Sequence, residues 1–217
     1  MKLYQYDHCP FCVRADMIAN YKGVGHENVY LLNDDEQICH ELINVKMVPI
    51  LQFDDGTAMG ESLDIVKELD RRGKPEKVLR PGHNHPLVTA HIDKVSLSIN
   101  CLLFPRYILL GLPEFETQNA RDYFQFRKEA NIGRSFEQAL AESDEHKRNV
   151  EQMLTELPTP ELPSHHGNTI GLDDVLIYPT LRNLTAVKDI QIPTEIRRYI
   201  DEVTLLTDSH TYYSRAV

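Results

Sequence analysis

A chain of 217 residues, 41 % hydrophobic and 26 % charged, has room for one large or two small globular domains. Its formal net charge of −10, with no basic stripe to offset it, argues against nucleic acid as a partner, and no apolar run of about 18 residues is available to span a membrane. Four cysteines are too few for a disulfide-built scaffold.

The first predicted element is a strand over 2–6, followed by a helix over 10–21. The strand follows Met1 directly, without a charged segment and an apolar stretch ahead of it, so the expected location is a reducing compartment, the cytoplasm. A second strand ends in Val29-Tyr30-Leu31-Leu32. The polar run Asn33-Asp34-Asp35 then caps a helix over 36–44. Val48-Pro49-Ile50-Leu51-Gln52-Phe53, the turn Asp54-Asp55-Gly56 and a short strand over 57–59 read as a hairpin. A helix over 61–71 follows, with Leu63, Val66 and Leu69 on its apolar stripe. Residues 1–72 are therefore a β-α-β-α-β-β-α unit.

Gly, Pro and polar residues dominate 73–85, which reads as a linker, with His83 and His85 expected in solvent. From residue 86 to 217 the apolar spacing is helical throughout. Helices are expected over 87–103, 117–132, 134–157, 173–187 and 193–206, with His165 and His166 in a solvated loop. The fold class is an α/β domain of thioredoxin-like type followed by an all-α domain.

The chemistry concentrates at Tyr6-Asp7-His8-Cys9-Pro10-Phe11-Cys12. Strand, Cys-x-x-Cys and helix in that order read as a thiol–disulfide exchange motif. Cys9 falls at a helix N-terminus, where unpaired N–H groups and the helix dipole favour a thiolate. Cys12, one turn on, is close enough to act as the resolving thiol and is expected to be less acidic. Pro10 suits the first helical position. His8 is not expected to serve as a base, because adjacent strand residues point to opposite faces. A zinc site needs a second ligand pair at metal spacing, and the neighbours Cys39-His40 lack the gap, so no metal is expected. Cys39 and Cys101 are expected to be buried bystanders.

Beyond the thiols, Glu61 and Ser62 open a helix. There they either hold the two charged ends of an amino-acid-like ligand or simply cap the helix. Lys46 and Arg14 are weaker candidates for a carboxylate. Phe104-Pro105-Arg106-Tyr107 lies either in a cleft between the domains or in the core.

An α/β half with Cys-Pro-Phe-Cys, a linker and an all-α half resembles the glutathione transferase architecture carrying a glutaredoxin active site. Val48-Pro49-Ile50-Leu51 resembles the cis-proline segment of that fold, and Glu61-Ser62-Leu63-Asp64-Ile65-Val66 its γ-glutamyl motif. Leu32-Asn33-Asp34-Asp35, Leu102-Leu103-Phe104-Pro105-Arg106 and Leu181-Arg182-Asn183-Leu184-Thr185 are similar to segments of the large two-domain glutaredoxins of bacteria. The likeness runs nearly end to end. Phe11 stands where a Tyr is usual, and Gly171 where a capping Ser or Thr is usual, leaving Asp174 to hold that helix start from the other side.

The resemblance implies a glutathione-dependent dithiol–disulfide oxidoreductase acting on protein disulfides and glutathione mixed disulfides. Cys9 and Cys12 would be catalytic, and Pro10, Phe11, Val48, cis-Pro49, Glu61 and Ser62 would bind glutathione. Glutathione is then a co-substrate with no bound cofactor, the partners are disulfide-containing or glutathionylated proteins, and the chain is expected to be a monomer. Two alternatives stay open: a glutathione transferase acting on electrophiles, and a non-enzymatic regulatory module holding an Fe–S cluster.

Overall fold

The computed structural model describes residues 1–83 and 85–217. A four-stranded sheet is built from β1 (Lys2–Gln5), β2 (Glu27–Tyr30), β3 (Ile50–Gln52) and β4 (Ala58–Met59), in the order β2-β1-β3-β4. β1 pairs parallel with β2, Lys2 opposite Glu27, and antiparallel with β3, Leu3 opposite Leu51. The crossover between the parallel strands is α1 (Pro10–Lys22), as a parallel pair requires. Gly23 ends α1 at φ 63, a left-handed position that suits glycine. α2 (Gln37–Ile43) leads to β3, and α3 (Ser62–Arg72) closes the unit. On α3 the buried positions are Ser62, Ile65, Val66 and Leu69, whereas Leu63 is exposed, so the apolar stripe runs through Ile65 and not Leu63.

The connection from residue 73 onward is largely exposed, His83 included, but it is strapped down. Arg80 N–H donates to the Ile170 carbonyl at 3.0 Å, and Leu172 N–H donates back to Arg80 at 2.9 Å. His83 N–H, His85 N–H and His85 Nδ1 all lie within 3.0 Å of the Asp173 carboxylate. His85 thus begins α4 (His85–Lys94) and ties it to a distant helix start.

The helical half comprises α4, α5 (Ser96–Tyr107), α6 (Gln118–Ile132), α7 (Phe136–Ala141), α8 (Ser143–Glu156), α9 (Leu172–Leu184) and α10 (Thr194–Leu206). Two continuous helices expected from spacing are each broken. The first bends by 74° between α4 and α5, at Val95, and the second breaks at Glu142 between α7 and α8. Neither position carries Gly or Pro; α4 buries Val88, α5 buries Ile99, Leu102 and Leu103, α7 buries Phe136 and Ala139, and α8 buries Val150, Met153 and Leu154. His165 and His166 fall in a 3-10 turn, Pro163–His166, and His166 Nε2 meets Glu161 at 2.8 Å. At α9 the Gly171 N–H donates to Asp174 Oδ2 at 2.7 Å, the back-bond expected from the sequence. Among the described residues no single helix is long and apolar enough to cross a membrane.

One hydrophobic core crosses both halves. Leu3, Met17, Ile18 and Leu69 join Ile99, Leu103, Tyr178 and Leu181 in it, with α1 packed between α3 and α9. Each such aliphatic side chain stabilises by about 1.5–3 kcal/mol when fully buried. A smaller cluster of Tyr4, Tyr6, Leu31, Cys39 and Ile50 lies across the sheet, with Cys9 and Val48 packed on it.

Candidate active site

β1 ends at Gln5, and the chain turns through Tyr6–Cys9 before Pro10 opens α1. Cys9 is the N-cap, with extended backbone (φ −73, ψ 117), and Pro10 occupies the first helical position, where its missing N–H costs nothing. Both thiols are free. Cys9 is partly exposed; Cys12 is fully buried, and its sulfur accepts from the Tyr6 N–H at 3.4 Å.

The two sulfurs differ in acidity. The Cys9 thiol is lowered to about 6, first by a hydrogen bond from the Cys12 thiol. Burial opposes this, while the charge of His8 and the N–H groups of Cys12 and Phe11 reinforce it. Cys12 is pushed well above its ordinary value by burial, then by the neighbouring Cys9 sulfur, with Glu114 adding to it. The pair therefore offers a thiolate and a protonated thiol near neutral pH.

A cleft of about 470 Å³ opens over Cys9. Its α/β wall carries His8, Cys9, Pro10, Phe11, Lys46 and Val48. Its helical wall is largely apolar, with Leu103, Phe104, Tyr107 and Phe124, and brings Arg127 and Lys128. Lys128 lies 4.7 Å from the Phe104 ring centre, and burial lowers its ammonium against the pull of the Cys9 sulfur. Phe11 is 50 % exposed, with the Arg14 guanidinium 4.7 Å above its ring.

The Val48–Pro49 peptide bond is cis. The structure brings Cys9, Pro10, Phe11 and Val48 to one cleft. Pro49, Glu61 and Ser62 lie outside its lining, at the start of β3 and of α3. Glu61 holds φ 60, ψ 104, a backbone region that non-glycine residues rarely adopt and that clusters at functional sites. Its side chain makes no capping hydrogen bond and is exposed, while Ser62 is buried. Lys46 is engaged by its own domain, donating to the carbonyls of Asn33 at 2.8 Å and Asp35 at 3.0 Å. Arg14 stands outside the cleft lining.

His8 departs from the strand-face expectation. It belongs to the turn and not to β1, so alternation does not govern it, and its ring lines the cleft with Cys9. Residues that motif reasoning passed over hold this turn from the helical half. Arg182 and Tyr212 bond Asp7, Asn183 Nδ2 donates to the His8 carbonyl at 2.8 Å, and Glu114 accepts from His8. Phe104 and Tyr107 enter the cleft, whereas Arg106 turns into the core to bond Leu102, Ser143 and Val217. Cys39 and Cys101 are buried. Among the described residues no three His, Cys, Asp or Glu side chains converge as metal ligands would.

A thioredoxin-like unit bearing a dithiol at a helix start, covered by an all-α unit, defines a two-domain thiol oxidoreductase of glutathione transferase architecture. Residues 3–77 match the family model for the glutathione S-transferase N-terminal domain, and residues 88–216 that for the glutaredoxin 2 C-terminal domain. Glutaredoxin 2 of Escherichia coli (strain K12) is 38 % identical over 219 residues, covering 100 % of both chains. The crystal structure of glutaredoxin 2 from Salmonella typhimurium in complex with glutathione matches with a TM-score of 0.90 at 38 % identity, covering 100 % of this chain and 98 % of that one. A glutathione transferase from Phanerochaete chrysosporium, 13 % identical, shares the fold with a TM-score of 0.62, covering 96 % and 98 %. The chain belongs to the glutaredoxin 2 family and is a glutathione-dependent oxidoreductase.

Proposed function

We propose that Cys9 is the nucleophile of this oxidoreductase and Cys12 its resolving thiol. The observation that carries the assignment is the opposed acidity of two sulfurs one helical turn apart, with only Cys9 facing the cleft. The Cys9 thiolate attacks one sulfur of a glutathione mixed disulfide, forming a Cys9–glutathione disulfide and releasing the other thiol, which takes a proton. A second glutathione thiolate then attacks the glutathione sulfur. Oxidised glutathione leaves, and Cys9 departs as thiolate. On a protein disulfide the first attack joins Cys9 to the substrate. Cys12 then loses its proton and attacks the Cys9 sulfur, passing two electrons to the substrate and leaving a Cys9–Cys12 disulfide for two glutathiones to reduce.

Glutathione is the co-substrate in this reading. The glutathione bound by the Salmonella relative supports it, as does Val48, which lines the cleft beside Cys9. Pro10 and Phe11 flank the sulfur. Glu61 takes the ligand's ammonium, and Ser62 with the α3 N-terminus takes its α-carboxylate. The absence of a capping bond from Glu61 supports a binding role over a capping one. Disulfide-containing and glutathionylated proteins are the substrates, and the enzyme works as a monomer in the cytoplasm. A glutathione-coupled mixed-disulfide assay, run beside a conjugation assay with an electrophile, tests the reading. Conjugation without disulfide reduction would make the protein a transferase instead.

A further inference from the structure

His8 and Glu114 form an ionisable pair that the exchange steps do not use. Glu114 sits in the 3-10 turn Pro113–Phe115 of the helical domain and is fully buried. Its Oε1 accepts from the His8 backbone N–H at 3.0 Å and lies 2.5 Å from His8 Nδ1, across 106 residues of sequence. Its Oε2 has no hydrogen-bond partner among the described residues. The rings of Tyr6, Tyr107, Phe115 and Phe124 surround the imidazole, with centres 4.7–5.8 Å away. A carboxylate in such a nest, with one oxygen unmet, is costly unless a proton-bearing partner balances it. His8 Nδ1 is that partner, so the proton on Nδ1 lies between the two groups.

The pair also has a direction. The imidazole end lines the cleft with Cys9, and the carboxylate end stands behind it. We propose that the buried His8–Glu114 pair, assembled from both domains, is a positioning unit that strengthens Cys9 over Cys12 as the nucleophile. It rests on the assignment of Cys9 and Cys12 above. Positive charge on His8 favours the Cys9 thiolate, whereas negative charge on Glu114 disfavours ionisation of Cys12. One dipole thus pulls the two sulfurs apart, and it exists only when the helical domain is docked.

Besides Cys9 and Cys12, the ionisable groups facing the pair are Tyr6 in the turn, Tyr30 of β2 and Tyr107 of α5, with Arg182 of α9 beyond them on Asp7. The three tyrosines are raised by burial and stay neutral through the range in which Cys9 titrates; Tyr30 is pushed up to about 12. Arg182 keeps its charge, since Tyr212 and Asp7 outweigh the effect of its burial. Lys128 of α6 lines the same cleft as Cys9, and burial lowers its ammonium.

The test is the pH dependence of alkylation of the reduced full-length protein, with peptide mapping to separate the thiols. Glu114→Gln keeps an acceptor for His8 but removes the charge. The Cys9 midpoint should rise by about one pH unit, a tenfold smaller thiolate fraction on the acid limb. His8→Gln should do the same, and the double variant should shift no further than the larger single, because the residues act as one unit. A purely structural role would lower thermal stability and leave the midpoint in place, and an unmoved midpoint in either folded variant overturns the proposal. Nitrogen-15 spectra of the wild type need no variant to fold: an Nδ1 of His8 without a proton would also overturn it. Wild-type exchange activity is measured on the same preparations. Its loss would remove the thiol assignment itself, whereas normal exchange with an unmoved midpoint removes only the role of the pair.

Discussion

Arg182 of α9 grips Asp7 twice: Nη1 donates to the Asp7 carbonyl oxygen at 2.9 Å and Nη2 to its carboxylate at 2.8 Å, across 175 residues of sequence. Tyr212 donates to the same carboxylate oxygen at 2.5 Å. Asp7 is two residues ahead of Cys9, so the helical domain fixes the entry into the redox turn. Removing one member of a buried charge pair strands the other. Arg182→Met should therefore destabilise the protein by about 3–5 kcal/mol. Urea denaturation would measure it; a change within 0.5 kcal/mol, roughly that of an ordinary surface site, would show that the grip is not structural.

The same contact sets an acid limit. Burial pushes the Asp7 carboxyl up, but hydrogen bonds from His210 and Tyr212 and the charge of Arg182 hold it well below the usual carboxylate range. A carboxylate depressed in the folded state contributes its full stability above the unfolded value, about 3.9, and loses it as pH falls below that. Wild-type stability should drop through this window more steeply than that of Asp7→Asn. Parallel acid unfolding curves for the two would contradict the contribution.

Cys9 should be reactive well below the pH at which free cysteine is. With its thiol lowered to about 6, the thiolate fills above that pH and is lost as pH falls through it. The alkylation rate of reduced protein should rise with a midpoint near this value. A midpoint at or above about 8.5, the free-thiol value, would mean that the helix start and its neighbours do not activate the sulfur.

Glu61 and Ser62 should act on glutathione and not on the fold. Each charge-assisted contact is worth about 1.5–3 kcal/mol. The double variant Glu61→Gln plus Ser62→Ala should raise KM for glutathione by roughly tenfold or more. Alkylation of Cys9 by a small uncharged reagent should be unchanged. If thermal stability collapses while glutathione kinetics hold, the two residues are caps.

What was legible in the sequence was local. Cys-Pro-Phe-Cys after a strand, Pro49 before one, Gly56 in a hairpin and the Asp174 back-bond to Gly171 all depend on neighbours within a few residues. What was not legible depends on partners far along the chain. Val95 and Glu142 carry no breaker; at Val95 the main packing partner changes from α9 to α7 and α8, and at Glu142 the bend keeps both α7 and α8 against α5. His85 reads as linker until Asp173, 88 residues on, accepts from it. Leu63 yields the α3 core position to Ile65 because Ser62 and Val66 face inward beside it. Glu114 has no motif of its own; only the docked helical domain carries it to His8. Similarity to the two-domain glutaredoxins did mark Arg182 and Asn183 as a segment, but not what they hold.

The central claim is a division of labour between two thiols, and glutathione-coupled reduction kinetics of the two single-serine variants test it most directly. Cys9→Ser should abolish reduction of both a glutathione mixed disulfide and a protein disulfide. Cys12→Ser should keep the first, because free glutathione resolves that intermediate, and lose most of the second. Full activity in Cys9→Ser, or loss of mixed-disulfide reduction in a folded Cys12→Ser, would contradict it.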